Sequence, residues 1–363
     1  MKMKKLMIIL VYCGVLSSAF AQQYATIATS PAPLTLKAQG SFYLGGELES
    51  QTTDELGGIC PPGHITVNQM YVRYMIPQEQ TDGTSFVLIH GMHLSGKCWE
   101  TTPDGRMGWD EYLVRKGYAV YVVDQVGIGR SGFDQKTYND VRKGKTQPMA
   151  QTPFSRKTDE NSWTNFRFGT KDGNPVDGAQ FPIGSLDEFS KQNLPHIMRL
   201  PSPDANYRCL SKLSAEVKNV VLVSHSQSGA FPVETALRST EGIRGMVLLE
   251  PGGTGSGYGD EQIRQLSKIP LLIIFGDNLT NETGMPGHVW QNSMDGWSRL
   301  AESINKAGGN ATVIHLPEMG IYGNSHMLMM DKNSHQIAAI VLEWCKNNIT
   351  KKSSDEKSFQ HFR

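Results

Sequence analysis

A serine stands at the centre of the run Asn219-Val220-Val221-Leu222-Val223-Ser224-His225-Ser226-Gln227-Ser228-Gly229-Ala230. An apolar, β-branched stretch ends there in small residues, and a helix-like segment follows. This is the layout of a tight strand-to-helix turn that lifts a nucleophilic hydroxyl clear of a sheet. The usual G-x-S-x-G spacing reads here as Ser224-x-Ser226-x-Ser228. Serine is the next smallest polar choice after glycine, and Gly229 keeps the helix start close to the sheet. The bland alternative is a serine-rich turn whose hydroxyls only cap a helix.

A serine nucleophile needs a base, and the base needs a carboxylate. His326 lies in Gly323-Asn324-Ser325-His326-Met327, a loop long enough to reach back over a sheet. His315 sits inside a strand and reads as structural. His335 opens the last helix and reads as a surface residue. His225 adjoins the serine but should point away from the turn. Two carboxylates end strands between the serine and the histidine. Glu250 closes Met246-Val247-Leu248-Leu249, and Asp277 follows Leu272-Ile273-Ile274-Phe275-Gly276. Both satisfy the chain order Ser, acid, His. The one that is not used should cap a turn. An oxyanion would need two backbone N–H donors, expected from Gln227 and from Met92 in His90-Gly91-Met92-His93.

Two other patterns are weaker. His90 and His93 could ligate a metal, but no third ligand stands at a recognisable spacing. Gly127-Ile128-Gly129-Arg130-Ser131-Gly132 is a literal G-x-G-x-x-G after a strand. Asp124 and Gln125 intervene, and no second strand ending in an acid follows about 20 residues later. A tight turn is the better reading, and no cofactor or metal is expected.

Around these residues, strands alternate with helices. Strands are expected at Leu36–Leu44, Ile65–Ile76, Phe86–His90, Tyr118–Asp124, Val220–Val223, Ile243–Leu249, Leu271–Phe275 and Ala311–Leu316. Helices are expected at Trp109–Lys116, Ala230–Arg238, Asp260–Lys268, Met294–Lys306 and Ile337–Asn347. The alternation implies a mostly parallel sheet covered on both faces. The connection from Asp124 to Val220, about 90 residues, is far longer than a crossover requires. Its residues 134–215 are polar with scattered aromatics and read as a cap over the site. An oligomerising insertion, and hence a homodimer, is the alternative. The core should then comprise 36–133 and 216–350.

The 363 residues carry 35 basic and 35 acidic side chains, so the chain is formally neutral. No basic excess points to nucleic acid. Residues 1–21 combine a basic start, a short apolar run and the small-residue pattern Ala19-Phe20-Ala21, and read as an export signal. The mature chain is therefore expected in the periplasm or secreted, off the membrane. Residues 22–35 read as a flexible lead-in and 351–363 as a disordered tail. Cys60, Cys98, Cys209 and Cys345 remain, for one or two disulfides or as buried thiols.

Together these features resemble the α/β-hydrolase superfamily, across residues 86–349. More narrowly, the chain resembles a small branch of exported bacterial serine esterases. That likeness rests on Trp99-Glu100-Thr101-Thr102-Pro103-Asp104-Gly105-Arg106-Met107-Gly108-Trp109, the Ser224–Gly229 turn, Glu250-Pro251-Gly252 and Gly323–Met327. The resemblance implies a Ser226-His326-Glu250 triad, with Glu250 rather than Asp277 as the acid. It also implies hydrolysis of a carboxylic ester. The branch can carry adjacent cysteines after His-Gly where this chain has Met92-His93. An amidase or acyltransferase using the same triad, or an inactive binding protein on the same fold, are the alternatives.

Overall fold

The computed structural model describes residues 32–198 and 204–349. The expected export signal, most of the lead-in and the expected tail lie outside the described residues. Eight strands form one sheet: β1 (Leu36–Gln51), β2 (Gly63–Pro77), β3 (Ser85–Ile89), β4 (Ala119–Asp124), β7 (Val220–His225), β8 (Ile243–Leu249), β9 (Leu271–Phe275) and β10 (Ala311–His315). Their order across the sheet is β1-β2-β4-β3-β7-β8-β9-β10. β2 runs antiparallel to both of its neighbours, and the other pairings are parallel. A two-stranded ribbon, β5 (Phe154–Ser155) with β6 (His196–Ile197), lies within the insertion.

The apolar runs behave as strands buried on both faces. Val220 and Leu222 of β7 join one core, with the helices α5 (Ala205–Val217), α6 (Phe231–Arg238), α7 (Asp260–Leu266) and α8 (Trp290–Lys306). Val221 and Val223 join the other, with α1 (Trp109–Arg115) and α9 (Ser334–Asn348). The period of two along each strand sets this division.

The strand order places the site. The chain leaves β3 for β4 on one side, then crosses to β7 on the other. The loops after β3 and β7 therefore face each other at the carboxyl edge, where such sheets bind ligands. The pairing of Ile89 with Ser224 brings His90-Gly91-Met92 beside Ser226.

Three expectations need correction. The helix α5 falls inside the stretch assigned to the insertion, yet Ala205, Cys209, Leu210 and Leu213 on it belong to the sheet core. Phe166, Phe168, Phe181 and Phe189 likewise pack in the core of the other face, and Phe168 stacks on Phe181 at 3.7 Å. The insertion is thus fused to the sheet. His335 is half-buried, stacked on Tyr112 at 4.5 Å with Nε2 at 2.9 Å from the Met107 carbonyl. The four cysteines of the described residues are unpaired, with only Cys60 exposed.

Candidate active site

Ser226 begins a 3₁₀ turn, Ser226–Ala230, which precedes α6. Its φ is +58°, a left-handed conformation costly for a residue with a Cβ. His93, Arg167 and Glu250 share this feature, so four of the eight non-glycine positive-φ residues described gather in one place. Such strain persists where the surroundings over-determine the backbone, commonly at functional sites.

The surroundings here are specific. Ser228, in the place of a glycine, uses its hydroxyl. Its Oγ lies 3.0 Å from the His225 carbonyl and 3.3 Å from the Ile89 carbonyl of β3. A Cβ on Gly229 would come within 2.5 Å of Pro251 Cβ, so the turn is pressed against the Glu250-Pro251-Gly252 loop. The Gly252 N–H donates to the Ser226 carbonyl at 2.7 Å. A Cβ on Gly91 would come within 2.9 Å of Ser226 Cβ. That contact sets the Met92 backbone against the serine. Met92 and Gln227 are both partly buried. The Gln227 side chain accepts from Gln125 Nε2 at 3.1 Å.

His326 Nε2 is 2.8 Å from Ser226 Oγ, and its Nδ1 is 3.1 Å from Glu250 Oε2. His326 and Glu250 are fully buried. With the proton on Nδ1, Nε2 is free to accept from the serine hydroxyl. Burial lowers the pKa of His326 well below its usual value, and the Arg167, Lys157 and His288 charges push the same way. The neutral imidazole is the form that can take a proton from serine.

Asp277 is elsewhere. Its Oδ2 accepts from the Gly323 N–H at 2.9 Å and its Oδ1 from the Asn278 N–H at 2.6 Å. It organises the turn that leads into the His326 loop, and the imidazole meets Glu250 instead.

Sequence reasoning missed the residues that hold this chain of groups. Arg167, from the insertion, is fully buried and donates from Nη2 to Glu250 Oε1 at 2.5 Å and from Nε to the Asp277 carbonyl at 2.7 Å. The Gly276 N–H donates to the same Oε1 at 2.5 Å. Phe166 stacks on the His326 ring at 5.3 Å, Trp290 stacks on it at 4.0 Å, and the Phe166 carbonyl accepts from the His326 N–H. His225 does not point away from the site. It lies against His326, with ring centres 4.8 Å apart, and its Nε2 donates to the His326 carbonyl at 2.8 Å. Burial drives the pKa of His225 down to about 3, which suits a neutral strut.

Asp331 secures the loop from below. Its carboxylate accepts from Ser325 Oγ at 2.6 Å, the Ser325 N–H at 2.9 Å and Asn324 Nδ2 at 2.8 Å. Arg106, within the long tryptophan-flanked motif, donates to the Met330 and Asp331 carbonyls at 2.7 and 3.0 Å. That motif therefore braces the segment behind the histidine.

The two remaining patterns resolve simply. His90 uses both ring nitrogens, at 2.8 Å from the Gly91 carbonyl and 3.0 Å from the Gln125 N–H, which leaves neither for a metal. The glycine-rich run wraps the Asp124 carboxylate. The Arg130 N–H and Nε reach that carboxylate at 2.9 and 2.8 Å, and a Cβ on Gly129 would sit 2.8 Å from it. A hollow of about 660 Å³ among Ala32–Thr35, Pro77–Thr81 and Val114–Gly117 lies at the opposite end of the sheet. A cavity of about 480 Å³, lined by Val126, Phe133, Tyr138, Met149, Pro153 and Ile197 among others, opens beyond the end of β4.

No family model matches the chain. A solved bacterial esterase, described as novel, is 39% identical, covering 89% of this chain and 99% of its own, with a TM-score of 0.82. A protein of a fungal species, named a probable secreted lipase, is 26% identical over 348 residues, covering 84% of this chain and 88% of its own.

Proposed function

The chain belongs to the family of that bacterial esterase and is a carboxylic ester hydrolase of the α/β-hydrolase fold, and from this premise we propose that it works through a Ser226-His326-Glu250 acyl-enzyme mechanism. His326 Nε2 removes the proton from Ser226 Oγ, which attacks the ester carbonyl. The Gln227 and Met92 N–H groups hold the oxyanion that forms. Glu250 keeps the proton on Nδ1 and stabilises the imidazolium. The imidazolium protonates the departing alkoxide, and water then attacks the acyl-enzyme with His326 again as base.

The observation that carries this reading is the unbroken hydrogen-bonded path from Glu250 through His326 to Ser226, at 3.1 and 2.8 Å. Residues Phe166 and Arg167 of the insertion support a cap that both covers the site and orients its acid. Export is part of the proposal. It draws on the pattern of residues 1–21 and the likeness to a probable secreted lipase. Among the described residues no helix is long and apolar enough to cross a membrane.

Hydrolysis of p-nitrophenyl esters of graded chain length tests the mechanism. Ser226→Ala should lower kcat by about 10⁴–10⁶ with folding intact. Ser224→Ala and Ser228→Ala should be far milder. Sustained turnover by Ser226→Ala would overturn the mechanism.

A further inference from the structure

One lysine of the insertion has no ionic partner. Lys157 is half-buried, and no carboxylate among the described residues forms an ion pair with it. Its ammonium donates to Asn161 Oδ1 and Asn165 Oδ1, both at 2.9 Å. That leaves one of three N–H donors unused. An enclosed cation without a counter-charge is uncommon, because desolvation is not offset. Burial lowers its pKa to about 8, so most of its charge survives at neutral pH.

Its position is informative. The ammonium stands 4.7 Å from the centre of the Phe166 ring, and that ring stacks on His326. Two residues earlier, Ser155 Oγ lies 2.6 Å from His93 Nε2, and His93 follows Met92 on the loop beside Ser226. The segment Ser155–Lys157 thus touches both the ring stacked on His326 and the loop beside Ser226.

The same wall concentrates unsatisfied polar atoms. Asn165 Nδ2, Asn193 Nδ2 and Oδ1, and the Nδ1 atoms of His93 and His196 are buried without a partner. These four residues are between 2% and 6% exposed. Buried polar groups in folded proteins are nearly always satisfied, so such a group of orphans calls for a polar partner that the fold itself does not supply. The Asn165 amide accepts from Lys157 through its oxygen and has its own N–H donors spare.

We propose that this wall is an anion subsite, and that the preferred substrates are esters bearing a carboxylate, which Lys157 Nζ and Asn165 Nδ2 receive while the ester carbonyl lies at Ser226. The inference rests on the esterase reading above and names its substrate class.

The test compares the monoethyl and diethyl esters of succinate, glutarate and adipate by pH-stat. For at least one chain length, kcat/KM should favour the monoester by about ten- to a hundredfold, the range of a charge-assisted hydrogen bond. In Lys157→Met the ratio should fall to about one, and Lys157→Arg should retain most of it. Should Lys157→Met fail to fold, the wild type supplies a second reading. The free dicarboxylate of the preferred length should compete with the diethyl ester, and its neutral diamide should not. Equal treatment of mono- and diesters, a ratio that survives in Lys157→Met, or no competition by the dicarboxylate would overturn the subsite while leaving the esterase reading standing. Failure to hydrolyse any ester would overturn that reading, and the subsite with it.

Discussion

Replacing Arg167 by methionine keeps much of the side chain's length and removes its charge. Three effects follow from the geometry. The first is on stability. Arg167 and Glu250 are both fully buried, and the bond between them is 2.5 Å. Removing one partner of such a pair costs about 3–5 kcal/mol, because the other charge stays buried uncompensated. Against a typical total of about 5–15 kcal/mol, that loss should be plain in a urea titration. The second effect is on turnover. Glu250 keeps the Gly276 N–H and His326 Nδ1 as partners, so its carboxylate stays close to the imidazole. The fall in kcat should therefore be about tenfold, less than for losing the carboxylate itself.

The third effect separates a positioning role from a merely structural one. The Arg167 charge helps to hold the pKa of His326 low, after burial. Without it the imidazolium is less disfavoured and the pKa of His326 rises. The base must be neutral to act, so the acid limb of kcat/KM should move to higher pH. Arg167→Lys should restore the position of the limb while leaving part of the stability deficit, because an ammonium cannot reproduce the fork to Glu250 Oε1 and the Asp277 carbonyl. An acid limb that stays in place or moves to lower pH in Arg167→Met would refute the electrostatic argument. An unchanged urea midpoint would refute the energetic one.

Other variants probe the neighbouring contacts. Glu250→Gln should lower kcat by about 10²–10⁴, with a smaller effect on KM, whereas Asp277→Asn should cost about tenfold or less; the opposite ranking would return the acid to Asp277. Gly91→Ala drives a Cβ to 2.9 Å from both Ser226 Cβ and His225 Nδ1, so the two loops must part. Its kcat should fall about a hundredfold as one oxyanion donor is displaced, and near-normal kinetics would remove Met92 from that role. Asp331→Ala strips three hydrogen bonds from the His326 loop and should lower stability by about 1–3 kcal/mol in a urea titration.

The strands were legible because burial on both faces leaves short β-branched runs that few other structures produce, as in Val220–Val223 and Leu271–Phe275. Most of their termini differed by a residue or two, as hydrogen-bonded boundaries commonly do, but β1 continues to Gln51, seven residues past its expected end at Leu44. The juxtaposition of Ser226, His326 and a strand-end acid was readable from their places after β7, β10 and the strands between them, since strand ends at one sheet edge are neighbours. Asp277 occupies an equally good place by that logic; the likeness to the esterase branch, through Glu250-Pro251-Gly252, favoured Glu250, and in the structure the path of the His326 loop brings the imidazole to Glu250. Arg167 was hidden because its ion pair joins residues 83 apart through an insertion with no regular period. The orientation of His225 was hidden for a related reason, since it depends on where the His326 carbonyl comes to rest. The helix Ala205–Val217 did carry a helical pattern in Ala205, Cys209, Leu210 and Leu213, but the polar composition around it obscured the pattern. Its place in the core, with that of the Phe166–Phe189 aromatics, means that excising residues 134–215 would strip the sheet of packing as well as remove the proposed cap.

The central claim is that Ser226 is a nucleophile activated by His326. Labelling with a fluorophosphonate, followed by intact mass and peptide mapping, tests it without assuming any substrate. A stoichiometric adduct should form on Ser226, disappear in Ser226→Ala and form much more slowly in Glu250→Gln. An adduct on Ser224 or Ser228, or none on the folded wild-type protein, would contradict the account.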